Sequence, residues 1–385
     1  MNVAVFFMGI GDVSGGGGAE RFFADFFTDY RDETNTHNLF LLTDKSSIAQ
    51  FNKINKITDF KNVHLYKVWN NRFKNRLEFY SISKFIVSKK IKVIMMPLYN
   101  IHYYPLVERI SQMPKAIRPK IVPVIVDYNI SYYYFNDMNK GYNYQATFSS
   151  LFNSNKIDAI ITWYQSFKDF CQNHKIIKNN PPVYTVTSRY SPFFETLPYK
   201  QKKNHIVFAG RLTETKRPLM FLEAVNLIKN ESAIKGWHFF VYGRGVMEND
   251  VKNYIENNSL SELVTLSSHP NPKEVLATSK CFVSTQDFEN FPSLAMNEAM
   301  VAGNAVIARN VGQTNLFVTE GQNGFLLNED TTKDLARKML DYILLSDSRK
   351  EELSNASIEL TKTVHTYVNF KSQMENIWHK ILNAG

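Results

Sequence analysis

Short apolar runs bounded by turn residues recur along the whole chain. In the first half they fall at residues 38–42, 92–96, 121–126, 159–162 and 183–186, and in the second half at 205–209, 239–242, 264–269, 281–283 and 305–308. Segments of helical spacing lie between many of them. Alternation of strand and helix patterns argues for parallel sheets covered by helices. The opening run, VAVFFMGI at 3–10, has no basic flank and leads straight into glycines, so it reads as a first strand and not as a signal peptide. At 385 residues the chain exceeds one ordinary core, which makes two domains the expectation.

The stretch from Ser284 to Ala308 organises the second half. It lies between two strand-like runs, with Pro292 expected to open a helix and Gly303 to stop it. Ala295, Ala299 and Ala302 recur at about one-turn spacing and let such a helix press closely on its neighbour. Backbone N–H groups of Phe291, Ser293 and Leu294 would point out of the helix start, where a diphosphate can settle. Glu289, in the preceding loop, would face whatever lies beyond the phosphate. Glu298, deeper in the helix, offers two acceptor oxygens to a ribose diol. An ordinary strand–helix–strand unit with a solvated acid at each end accounts for the same residues.

Other segments bear on the same chemistry. A strand at 205–209 runs into Gly210 and Arg211, with Lys216 shortly after and a helix expected from Pro218. A guanidinium fork beside a mobile ammonium suits two phosphates, while solvated charges on a surface turn are the plain alternative. Four consecutive glycines at 15–18 let bare backbone approach a phosphate or sugar, but they do not form a clean dinucleotide fingerprint. Residues 67–92 hold eight basic residues and one acid, Glu78, with Trp69, Phe73, Leu77, Ile82, Phe85 and Ile86 near helical spacing. Such a segment is either a solvated basic helix or a surface for anionic lipid. Tyr132, Tyr133, Tyr134, Phe135 and Tyr142 could stack on an acceptor sugar or fill the core. The polar stretch 196–204 reads as a linker.

Composition narrows the class. The chain is 44% hydrophobic and 21% charged, as for a globular protein, and its net charge of +9 suits anionic partners. Cys171 and Cys281 are the only cysteines, which favours a reducing compartment over a disulfide framework. No apolar run approaches the length that crosses a bilayer.

Glu289-Asn-Phe-Pro-Ser, Asn297-Glu298-Ala299-Met300 and the run 303–308 together resemble the signature of retaining glycosyltransferases of family four. Gly-Arg-Leu with Lys216 resembles the diphosphate segment of that family, and residues 17–21 its first-domain loop. The resemblance implies an α/β GT-B fold, in which two Rossmann-like domains face each other across a cleft and a C-terminal helix crosses back to the N-terminal domain. The corresponding boundaries are 1–197, 204–365 and 366–385. It implies that Glu289, Arg211 and Lys216 serve catalysis, and that Gly17, Gly18, Gly210, Phe291, Pro292, Ser293, Leu294, Glu298 and His269 hold the donor. Gln313 and Thr314 resemble the end of the last cleft loop. Two departures stand out. Eight residues separate Glu289 from Glu298 where the family usually has seven, and Val126 takes the place of a His before Asp127. Acceptor-side candidates are Asp127, His102 and Tyr132.

The activity implied is transfer of a sugar from a UDP- or GDP-sugar to a hydroxyl of a glycan or lipid-linked saccharide, with retention. No metal or cofactor is expected and no nucleic-acid partner. The expected location is cytoplasmic, with peripheral attachment to the cytoplasmic face of a membrane as a further option. A sugar-nucleotide epimerase of the same fold, a phosphorylase, or an idle sugar-nucleotide-binding protein are the alternatives.

Overall fold

A computed structural model describes residues 1–7, 22–23, 26–27, 30, 37–43, 45–54, 63–65, 72–97, 103–126, 154–174, 179–189, 196–267 and 272–383. The chain forms two compact units, one of Met1–Val13, Gly17–Val186 and Lys371–Gly385 and the other of Ser14–Gly16 and Thr187–Phe370. Each is organised on a parallel sheet.

The first sheet has seven strands: β1 (Asn2–Phe6), β2 (Asn38–Thr43), β3 (Val63–Leu65), β4 (Ile91–Pro97), β5 (Lys120–Ile125), β6 (Ile160–Thr162) and β7 (Val183–Thr185). Their spatial order is β3-β2-β1-β4-β5-β6-β7. Five of these strands coincide with the apolar runs, and β1 with the opening run. Apart from Asn2, Asn38, Lys92 and Lys120, the residues of β1, β2, β4, β5 and β6 are buried, because both faces of a parallel sheet are covered. The helix Tyr367–Asn383 packs into this unit through Trp378, which is fully buried and donates its indole N–H to Met95 Sδ at 3.3 Å. Tyr30 lies 6.1 Å from the same indole, ring to ring, and donates to Glu375. Contact of the C-terminal helix with the N-terminal region thus matches the expected fold class.

The basic segment forms the helix Arg72–Ser88. Ile82, Phe85 and Ile86 turn inward, and Phe85 meets Phe40 edge-on at 5.7 Å. Tyr80 and Val87 remain 60% and 46% exposed, in line with Lys84 on the outer face.

The second sheet has six strands: β8 (His205–Ala209), β9 (His238–Tyr242), β10 (Val264–Ser267), β11 (Cys281–Ser284), β12 (Ala305–Ala308) and β13 (Gly324–Leu326). They are ordered β10-β9-β8-β11-β12-β13. All of β12 and the first three residues of β11 are buried, and each large apolar side chain among them contributes about 1.5–3 kcal/mol. One face packs on the helices Pro218–Ile228, Glu248–Asn257 and Thr332–Leu344 through Phe221, Val251, Leu335 and Met339. Order reverses between β8 and β11: the chain leaves β8 toward β9 on one side and reaches β11, β12 and β13 on the other. Such a point leaves a crevice beyond the carboxyl ends of the two central strands.

The polar linker expected at 196–204 is a packed element in its middle. A short helical turn, Tyr199–Gln201, buries Tyr199, and Lys202 beside it is buried too. Lys202 Nζ donates to the carbonyls of Ala277, Ser279 and Ala302 at 3.0, 2.8 and 2.7 Å. These carbonyls end the helices Lys273–Thr278 and Leu294–Val301. A cation at a helix C-terminus satisfies acceptors that the helix itself leaves open.

Candidate functional site

The two motifs singled out in the second half end on β8 and β11, which are neighbours at the reversal point. Gly210 follows β8, and open space surrounds the place its Cβ would occupy. Gly243, after β9, presses on it so closely that a Cβ there would lie 1.8 Å from the Gly210 carbonyl oxygen. Only glycine permits that approach. Arg211 is exposed, and Lys216 ends the turn Glu214–Lys216. Burial, reinforced by the charge of Arg211, pushes the Lys216 ammonium down to about 8.

The loop after β11 is tied to this segment at several points. Thr285 donates its hydroxyl to the carbonyls of Lys216 and Arg217 at 2.7 and 3.0 Å, and Asp287 N–H reaches the Thr215 carbonyl at 3.0 Å. Lys216 Nζ donates to Gln286 Oε1. Arg217 and Arg309 both pair with Asp287 and Asp330, which binds the loops after β8, β11, β12 and β13 into one alternating set of charges.

Glu289 lies inside this frame and is 2% exposed. Its Oε1 accepts the backbone N–H groups of Phe291 at 2.9 Å and Gln313 at 2.7 Å. Its Oε2 is buried with no hydrogen-bond partner among the described residues. Burial raises the carboxyl to about 7, against the opposing pull of the backbone donors. Gly312, at φ +54°, lies over the group, and a Cβ there would come within 2.3 Å of Oε2. Glu289 is therefore an enclosed acid and not a solvated surface residue.

The helix after it departs from the sequence expectation. Pro292 follows a cis peptide bond and precedes the helix instead of opening it. Ser293 is the N-cap, its hydroxyl accepting from Met296 N–H at 3.2 Å, and the helix runs Leu294–Val301. Gly303 stands just beyond the end at φ +81°, as its position implied. The N–H of Phe291 is already held by Glu289, so it is not an open donor, and the intrahelically unpaired N–H groups of the first turn belong to Leu294 and Ala295. Phe291 instead buries its ring beside Phe317 and His365, at 5.2 and 6.3 Å. Glu298 is buried in the second turn, 2% exposed.

Arg211, Lys216, Gly210, Glu289, Phe291, Pro292, Ser293, Leu294 and Glu298 all belong to the second unit, at or near the ends of β8 and β11. Gly17, Gly18, His102, Asp127, Tyr132 and His269 lie outside the described residues. Sequence reasoning did not single out Gln286, Arg309, Gly312 or Asp330. A glycine followed by Gln313 was the one available signal, since a loop glycine beside the last motif marks a close approach.

Residues 192–359 match the family model described as glycosyl transferases group 1. A poly(ribitol-phosphate) alpha-N-acetylglucosaminyltransferase of Staphylococcus aureus is 26% identical over 195 residues, 50% of this chain and 38% of the relative. A UDP-Gal:alpha-D-GlcNAc-diphosphoundecaprenol alpha-1,3-galactosyltransferase of Escherichia coli is 34% identical over 130 residues, 33% of each chain. The matched part thus spans between a third and two fifths of these curated relatives. Among solved structures, Anabaena HepE in complex with UDP aligns with a TM-score of 0.73 at 14% identity, covering 99% of this chain and 100% of its own. The pneumococcal O-GlcNAc transferase GtfA, in complex with UDP and GlcNAc, aligns with a TM-score of 0.71 at 12% identity, covering 99% of each.

Proposed function

We propose, for a chain whose residues 192–359 match the glycosyl transferases group 1 family model, that it is a retaining glycosyltransferase using a nucleotide sugar. The carrying observation is the enclosed carboxyl of Glu289, one oxygen fixed by two backbone donors and the other unpartnered among the described residues, in a loop tied to the Arg211 and Lys216 segment. Arg211 and Lys216 take the diphosphate, with the first-turn N–H groups of Leu294 and Ala295. Glu298 holds the ribose, and Glu289 meets the transferred sugar. A uridine diphosphate sugar is favoured because solved relatives of the same fold carry UDP.

The chemistry follows from these charges. The bond from the anomeric carbon to the diphosphate breaks first, and its electron pair leaves with the phosphate, where Arg211 and Lys216 stabilise it. Ionised Glu289 lies where positive charge grows on the sugar. The acceptor hydroxyl forms its new bond on the face the diphosphate leaves, and its proton passes to a phosphate oxygen of the leaving group. The acceptor is a saccharide or lipid-linked saccharide. Lys84, Lys89, Lys90 and Lys92 are exposed, as are Tyr80 and Val87, and such residues suit peripheral attachment to an anionic membrane surface on the cytoplasmic side.

Incubation with a panel of nucleotide sugars tests this reading. Slow hydrolysis of one preferred donor, releasing its nucleoside diphosphate, is the expected result. A changed sugar still attached to its nucleotide would mean an epimerase, and no turnover with tight binding would mean an idle binder.

A further inference from the structure

Gln286 stands between the two halves of the site. Its side-chain amide accepts from Lys216 Nζ through Oε1 and donates to the backbone carbonyl of Glu289 through Nε2. Its own carbonyl accepts from Arg309 Nη1 at 2.9 Å. Asp287, the adjacent acid, is committed to Arg309 at 3.0 Å and Arg217 at 3.4 Å. The Lys216 ammonium is therefore held by a neutral group. A carboxylate in that place would offset the charge that an incoming diphosphate needs, whereas an amide holds the ammonium and leaves its charge uncompensated.

We propose that Gln286 is a positioning residue, which aims the Lys216 ammonium at the leaving diphosphate and, through the same amide, registers it against the Glu289 segment. The proposal rests on the donor-site reading above. A side chain without two-sided hydrogen bonding can fill the space but cannot set both groups at once.

The consequence is readable in pH. Lys216 faces Arg211 from its own loop and Gln286 from the loop after β11, and burial with the Arg211 charge holds its ammonium down to about 8. A bound diphosphate favours the ammonium, so affinity falls as pH rises through that value. Gln286→Glu places a carboxylate on the same atoms. It is expected to weaken diphosphate binding at pH 7 by about tenfold or more and to move the midpoint of the pH dependence up by about one unit. Gln286→Met keeps the bulk, removes both hydrogen bonds, and leaves the midpoint at or below the wild-type value.

Calorimetric titration with uridine and guanosine diphosphates between pH 7 and 9.5, on wild type and both variants, decides the matter. An upward midpoint shift in Gln286→Glu alone supports the proposal. Equal affinity in all three proteins overturns it, as does equal weakening in both variants at an unmoved midpoint, which is what a purely structural role gives. A wild-type protein that binds neither diphosphate overturns the donor-site reading itself.

Discussion

Gln313 donates its backbone N–H to Glu289 Oε1 at 2.7 Å, so the acid of the loop after β11 is held by the loop after β12. Two adjacent strand ends thereby define one carboxylate position. The protein holds a potential anion where water does not reach it, and that arrangement has measurable costs.

The first cost appears as pH-dependent stability. The folded-state pKa of Glu289, about 7, lies above its ordinary value of 4.5, so the folded protein binds the extra proton between these values. Stability from this group is full below pH 4.5 and is lost as pH rises through 7. Glu289→Gln can keep both backbone donors on its oxygen and never ionises. It should exceed wild type by about 1–3 kcal/mol at pH 8, with the gap closing toward pH 4.5. Denaturant melts at pH 5, 6.5 and 8 check this; a constant gap would remove the buried charge from the account. Turnover of the same variant should fall about 10²-fold while affinity for the bare diphosphate changes little.

Gly312→Ala probes the same carboxylate from above. A methyl there would fall 2.3–2.5 Å from the carboxyl atoms, and φ of +54° adds about 1–2 kcal/mol of backbone strain. Gly321, at φ +71° with open space around its Cβ, supplies the control. Both variants carry the backbone strain, Gly312→Ala should lose more stability because its methyl overlaps the Glu289 carboxyl, and only Gly312→Ala should lose turnover. Matching kinetics in the two would show that Glu289 does not have to stay where the fold puts it.

Lys202→Met should destabilise the second unit by about 2–4 kcal/mol, because three buried carbonyls lose their donor together. Its exposed neighbour supplies the comparison, and Lys203→Met should stay within about 0.5 kcal/mol of wild type. A thermal melt of each variant distinguishes a capping lysine from a solvated one.

If the outer face of Arg72–Ser88 meets a membrane, the protein should sediment with vesicles containing phosphatidylserine at low salt and be released as salt rises. Lys84→Glu combined with Lys89→Glu should abolish the effect. Equal recovery on neutral vesicles would count against the electrostatic attachment.

The parallel sheets could be read from the sequence because buried strands announce themselves as apolar runs, and β1, β2, β4, β5, β8, β11 and β12 all do so. β3 was missed: Val63, His64 and Leu65 are too few to form a pattern. Pro292 misled because proline marks a first helical turn on average, whereas here Ser293 takes the cap and Pro292 stands outside. Lys202 looked like linker because a lysine among lysines carries no sign of burial. The Arg217, Asp287, Arg309 and Asp330 set was invisible for a different reason. Its members lie on four loops separated by up to 113 residues, and only the closing of the sheet brings them together.

The helix Leu294–Val301 has a consequence of another kind. From Met296 to Val301 every residue is buried, so Glu298 is carried on an element with no solvent-facing side along that stretch. Its carboxylate cannot shift unless the packing around it shifts. Met300 is fully buried and was assigned no ligand, yet a cavity opened there would tilt the helix and present itself in an assay as weakened donor binding. A screen for temperature-conditional alleles would therefore recover core substitutions here that mimic lesions in the substrate site, and rescue by cooling would tell the two apart.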